Sequence, residues 1–128
     1  MKWLGIYPVT LAVCVGVDFI WLSQMQDVLY RPALADLLAP APRLGPAAVF
    51  YLLYAAGIVF FAVEPARDWK TAALRGLAFG LVAYGVYDLT NQATLKIWPL
   101  SVTLADMSWG AVLTGIAATA GYVVGRRA

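Results

Sequence analysis

Long apolar stretches separated by short polar ones dominate the chain. Four such stretches, at about residues 3–23, 46–63, 71–93 and 99–124, each approach the roughly 20 residues that a helix needs to cross a bilayer. None of them alternates with a period of two, as the strands of a membrane barrel do. Because backbone polar groups in lipid must be satisfied within the segment, the pattern predicts an all-α, integral-membrane four-helix bundle.

The loops between these stretches differ in length. The first loop, about residues 24–45, contains PALADLL, which fits a short interfacial helix with Pro32 in its first turn. The third loop, around LKIWP, is so short that the last two helices must be antiparallel neighbours. The apolar N-terminal stretch lacks a small-x-small cleavage site, so we interpret it as a retained first helix.

Composition narrows the class of protein. The 128 residues are 62% apolar and 12% charged, and the mean hydropathy is +0.76, which predicts one transmembrane domain over residues 1–128. The net charge of +2 is too small to indicate a nucleic-acid partner. The chain has no histidine and one cysteine, Cys14, so it can form neither an internal disulfide nor a histidine-ligated metal site. We expect no metal and no cofactor.

Basic residues predict how the bundle is oriented. With the N-terminus inside, the inner side would hold Lys2, Arg67, Lys70, Arg75, Arg126 and Arg127, whereas the outer side would hold Arg31, Arg43 and Lys96. The excess of positive charge on the inner side favours an N-in, C-in arrangement.

Two pairs of glycines have the spacing of helix-packing motifs. Gly76 and Gly80 form one GxxxG pair, and Gly121 and Gly125 form another. Small residues at this spacing allow close approach of helix backbones. We expect packing within the bundle, and a homodimer through one of these pairs is the alternative.

Three aspartates fall inside the predicted spans. Counting about 1.5 Å per residue, Asp18, Asp88 and Asp106 all lie at one level in the outer half of a core about 30 Å thick. A charged residue in hydrocarbon costs at least about 2.5 to 3.5 kcal/mol, so three at one depth predict a shared polar cluster. Two close carboxylates cannot both be ionised, so such a cluster could exchange protons.

Aromatic and amide side chains share the same depth and helix faces. Tyr51 and Tyr54 reach this level from the second helix, and two tryptophans flank the carboxylates, where their rings suit a cation or pack in the core. The pocket that we predict consists of Asp18, Trp21, Tyr54, Tyr84, Tyr87, Asp88, Asn91, Asp106 and Trp109. Arg31 and Lys96 are the candidate charge partners. The competing interpretation is that the aspartates only fix helix register through hydrogen bonds.

Three stretches resemble a known family. VDFIWLS, FYLLYAAGIVFF and YDLTNQATLKIWPLSVTLADMSWG look like the bacterial membrane family called domain of unknown function 2177, and the similarity spans nearly the whole chain. The resemblance implies a small multi-pass protein of the bacterial inner membrane. It implies no activity and no catalytic residue.

Three functions remain open from the sequence. The polar pocket favours the binding or transport of a small polar or cationic solute, or of protons. An intramembrane acid–base enzyme, isomerase-like or hydratase-like, acting on a lipid-like substrate is the first alternative. An accessory or assembly subunit that docks through the glycine pairs is the second. A pocket open to water favours the first function, and a slot open to the bilayer favours the enzyme.

Overall fold

A computed structural model describes residues 3–34, 37–39 and 43–125. They form four helices with the length and apolar composition to cross a membrane, and the described residues contain no strand. The helices are α1 (Trp3–Leu34), α2 (Leu44–Val63), α3 (Trp69–Thr94) and α4 (Leu100–Val123). The predicted four-helix membrane architecture is therefore confirmed.

Two of the helices contain a π-helical turn. In α1 the turn spans Gln26–Tyr30, and the backbone N–H of Arg31 donates to the carbonyl of Gln26. In α2 the turn spans Val59–Val63, and the N–H of Glu64 donates to the carbonyl of Val59 at 2.8 Å. A π turn inserts one residue into the helix and rotates the side chains beyond it.

The first loop is shorter than the sequence predicts. Residues 31–34 are helical, as expected for the segment that begins near Pro32, but they continue α1 rather than start a separate helix. Part of the predicted interfacial helix, residues 35–36, lies outside the described residues. The continuation of α1 places Tyr30 on a helix.

The helices α3 and α4 form the most extensive contact in the molecule, as an antiparallel hairpin. Helix α1 packs against α4 and α2, and the π turn of α2 packs against α3 and α4. We call the end of the bundle at residues 95–99 the hairpin end. The opposite end, where Gly125 lies against the backbone of Ile6, is the terminal end. Which side of the membrane each end faces stays a prediction.

The core of the bundle combines many small side chains with a few large ones, such as Ile6, Ile58 and Leu113, while many other large apolar side chains face outward. Its buried positions include Ala55, Ala62, Ala72, Ala117 and Ala118, while leucine, phenylalanine and valine side chains on all four helices are exposed. Burial drives no apolar side chain inward in lipid, so close backbone approach through small residues holds the helices together. This arrangement is what a bilayer environment favours.

Candidate functional site

Asp18 joins three helices through its carboxylate. Its side chain, 6% exposed, lies on α1 and accepts hydrogen bonds on both oxygens. Tyr51 of α2 donates its hydroxyl to Oδ2, and Trp109 of α4 donates its indole N–H to Oδ1 at 2.9 Å. Two donors satisfy the carboxylate, so Asp18 fixes the relative positions of α1, α2 and α4.

Two tryptophans extend this arrangement toward the hairpin end. The rings of Trp21 and Trp109 stack with centroids 4.5 Å apart and planes 6° from parallel. Trp21 donates its indole N–H to the hydroxyl of Tyr30 at 3.0 Å, and that hydroxyl donates to Oδ1 of Asp106 at 2.5 Å. We call Tyr51, Asp18, Trp109, Trp21, Tyr30 and Asp106 the polar network; it joins α1, α2 and α4.

Asp88 completes the site from α3 in a different way. It is fully buried, and neither of its oxygens has a hydrogen-bond partner when both carboxylates are ionised. Its carboxyl faces that of Asp106 at hydrogen-bonding range. A hydrogen bond between these two groups, which we call the carboxyl pair, forms only when one of them carries a proton.

A layer of aromatic rings lies on the terminal side of the carboxyl pair. Tyr54, 8% exposed, shares a hydrogen bond of 2.6 Å with the hydroxyl of Thr114, and its ring meets Tyr84 edge to face at 6.1 Å. Tyr84 lies over Gly110, where a Cβ atom would meet its ring. The absence of a side chain at Gly110 makes space for this ring.

The structure separates some of the predicted pocket residues from this site. Tyr87 is 58% exposed and packs edge to face on Trp98 at 5.7 Å, and Asn91 lies against the hydroxyl of Tyr87. Arg31 pairs with Asp27 on the surface at 3.3 Å and forms no ion pair with Asp18, Asp88 or Asp106. Lys96 is exposed and pairs with no acidic group among the described residues.

Sequence reasoning missed Tyr30. Hydropathy assigns residues 24–45 to a loop, and a loop position carries no information about which face its side chain takes. The π turn at Gln26–Tyr30 keeps the chain helical and directs the phenol back along α1 toward Asp106.

The three aspartates do not converge on one point. No group of three or more Asp, Glu, Cys or His side chains is close enough to hold a metal ion among the described residues. Among the described residues, Asp18 is linked to the carboxyl pair through the two tryptophans and Tyr30. The site therefore has two parts, a satisfied carboxylate at Asp18 and an unsatisfied one at Asp88.

Both glycine pairs are covered within the chain. A Cβ atom at Gly76 would lie 2.6 Å from the carbonyl oxygen of Thr114, and one at Gly80 would meet the carbonyl of Gly110. Gly121 faces Thr10, and Gly125 faces Ile6. Packing within the bundle occupies these pairs, so they offer no exposed face for a homodimer or for docking to another subunit.

Comparison with models of protein families shows which family this chain belongs to. The model of the family described as "Predicted membrane protein (DUF2177)" matches residues 3–123. The chain belongs to this family. It is a multi-pass membrane protein of a family whose function is unknown. No curated protein and no solved structure matches the chain.

Proposed function

We propose that this protein transports protons or a small cation across a bacterial inner membrane through its buried carboxyl pair. The observation that carries the proposal is Asp88, which is fully buried and whose two oxygens lack any donor within the described residues. A carboxylate in that position is stable only if it binds a proton or another cation. A group that must hold a cation and has no permanent partner is suited to exchange it.

The surroundings of Asp88 support the same function. Asp106 already accepts the hydroxyl of Tyr30, so it keeps part of its negative charge stabilised while it faces Asp88. Among the described residues no lysine or arginine forms an ion pair with Asp88 or Asp106, and Arg31 pairs with Asp27 instead. The charge of the pair is therefore free for a mobile cation.

Flux measurements test the proposal. Protein in liposomes with an internal pH dye should carry protons down an imposed gradient, and Na⁺, K⁺ and tetramethylammonium are tested in turn. We expect Asp88→Asn to reduce the flux to that of empty liposomes. The matched control is Asp27→Asn, which removes an exposed carboxylate paired only with Arg31 and should leave the flux unchanged. Equal flux through wild type and Asp88→Asn contradicts the proposal.

A groove on the surface favours an enzyme or binding protein for a lipid-like molecule as the second candidate. The groove, of about 540 Å³, is lined by aromatic and small apolar side chains, including Phe50, Tyr54 and Phe79. Phe50 packs on both Tyr51 and Tyr54, and Tyr51 donates to Asp18. A lipid-like molecule in the groove would therefore place a polar group near Asp18.

Native mass spectrometry distinguishes this candidate from transport. A retained lipid-like mass that Ala83→Phe removes supports it, because Ala83 lines the groove. The control is Val86→Phe on an exposed face of α3, which should keep the mass. If wild type retains no hydrophobic molecule, the second candidate is rejected.

A further inference from the structure

Buried polar atoms without a partner are concentrated at the hairpin end of the bundle. Among the described residues they are both carboxylate oxygens of Asp88, Oε1 of Gln92, Nε1 of Trp98 and Oγ1 of Thr103. All of them come from the stretch 88–103, which contains the end of α3, the connecting loop and the start of α4. Such groups are rare in folded proteins, and a cluster of them indicates a ligand or water that binds there.

The register of the helix hairpin places these atoms in one column. Gly76 lies against Thr114 and Ala118, and Gly80 lies against Gly110 and Thr114. Continuing this antiparallel register in steps of four brings Asp88 opposite residues 102 and 106, close to Thr103, and brings Gln92 opposite residues 98 and 102, close to Trp98. Gln92 is one helical turn, about 6 Å, beyond Asp88 in the direction of the loop that holds Trp98.

The chemistry of the column identifies its occupant. Asp88, Gln92 and Thr103 supply oxygen acceptors, whereas the indole of Trp98 supplies only an N–H donor. A bare metal ion would be bound by the oxygens but repelled by the N–H group. Water donates and accepts, so it satisfies every member of the column.

We propose that a file of water molecules occupies this column and connects the carboxyl pair with the aqueous phase at the hairpin end. The file would let protons or cations reach Asp88 from one side of the membrane. Its role in transport rests on the proposed function, but its presence does not. Thr103, which is 1% exposed, is the side chain that best distinguishes a column filled with water from a dry one. In a dry column its hydroxyl has no hydrogen-bond partner.

Cysteine labelling tests the water file. In a Cys14→Ser background, Thr103→Cys is treated with a trimethylammonium methanethiosulfonate, a permanently charged reagent that reacts with thiolates in water. The matched control is Leu104→Cys on the neighbouring, 58% exposed face of α4, which contacts lipid. We expect Thr103→Cys to react at least about tenfold faster, and from the hairpin side only. Equal rates overturn the proposal.

A second pair of variants covers the case in which Thr103→Cys does not fold. Gln92→Cys should react faster than Leu89→Cys, whose side chain is 53% exposed toward lipid. Labelling and flux are independent measurements. Fast labelling without flux keeps the water file and rejects transport, whereas flux without labelling rejects the water file alone.

The thermal stability of Thr103→Val is a second test of the water file. If water bonds to the hydroxyl, the change should lower Tm by roughly 3 °C. Thr119→Val is the reference for the loss of a hydroxyl that is hydrogen-bonded, because the Thr119 hydroxyl donates to the carbonyl of Gly115 in its own helix. A rise in Tm for Thr103→Val would show that the hydroxyl is dry and would overturn the proposal.

Discussion

The terminal end and the hairpin end of the bundle are built on different principles. At the terminal end, glycines bring backbones together, as where a Cβ atom at Gly125 would lie 2.6 Å from Cα of Ile6. Polar side chains there bond at the periphery, for example Tyr122 to the carbonyl of Arg67 at 2.6 Å. At the hairpin end, polar side chains cross between helices, and several buried atoms lack partners.

This difference means that one region of the bundle stabilises the fold while the other contains the polar site. Close packing through small residues holds a membrane bundle together without large buried side chains. The terminal end and the middle of the α3–α4 contact supply that packing, so the hairpin end can contain a polar site that is costly by itself. The two regions should therefore respond differently to substitution.

The largest expected loss of stability comes from a substitution that disrupts the packing of α3 against α4. Gly80→Val places a side chain where the carbonyl of Gly110 and, at 2.6 Å, the hydroxyl of Thr114 already lie. Neither backbone can move without separating α3 from α4, so we expect a loss of about 3 kcal/mol in the free energy of unfolding. Thermal unfolding in detergent measures it. Gly16→Val, at a site with no atom within 4 Å, is the control and should change little.

The second prediction compares the two kinds of carboxylate within the hairpin end. Asp18→Asn leaves one of two donors, Tyr51 or Trp109, facing an amide N–H, so stability should fall by about 2 kcal/mol. In Asp88→Asn the amide N–H can donate to Asp106 in place of a protonated carboxyl, and no other protein donor to Asp88 is lost, so stability should change by less than about 0.5 kcal/mol. Chemical or thermal unfolding of both variants checks this. A larger loss for Asp88→Asn than for Asp18→Asn would mean that Asp88 has a structural role.

The third prediction concerns Tyr30 as the link between the tryptophans and Asp106. Tyr30→Phe removes the acceptor of Trp21 and the donor to Asp106, so stability should fall by about 1.5 kcal/mol. The stacked Trp21–Trp109 pair should also give a weaker near-ultraviolet circular dichroism signal. Tyr87→Phe, at a ring 58% exposed, is the control. An unchanged spectrum and stability in Tyr30→Phe would remove Tyr30 from the network.

The smallest effect lies outside the membrane, at the start of α3. The backbone N–H of Thr71 donates to Asp68 at 2.8 Å, and this bond holds the pKa of the Asp68 carboxyl below its usual value. The stabilisation is therefore complete above the ordinary pKa of aspartate, about 3.9, and is lost as pH falls through the lowered pKa.

Replacement of Asp68 by alanine tests this sign. At neutral pH, Asp68→Ala should lower Tm by about 2 °C, and the difference from wild type should shrink only below about pH 4. Asp68→Asn keeps a capping oxygen that does not titrate, so its Tm should not follow this pH dependence. A difference that grows on acidification would contradict the cap.

Much of the fold follows from the sequence alone. Apolar stretches of about 20 residues predict the four helices, and the short LKIWP loop predicts the antiparallel pair of α3 and α4. Counting residues along each helix also predicts a common depth for Asp18, Asp88 and Asp106. Depth depends only on the rise per residue, so no knowledge of packing is needed.

Only the tertiary structure decided which side chains meet. The spacing of Tyr84, Tyr87, Asp88 and Asn91 predicts one stripe on α3, but Asp88 is buried while Tyr87 is turned toward Trp98. Tyr30 reaches Asp106 because a π turn continues α1 past the end of its apolar stretch. Helical spacing defines a face to within a wide arc, and the rotation of each helix is fixed by its neighbours. Partners and unsatisfied groups therefore depend on interhelix contacts that no single stretch of sequence encodes.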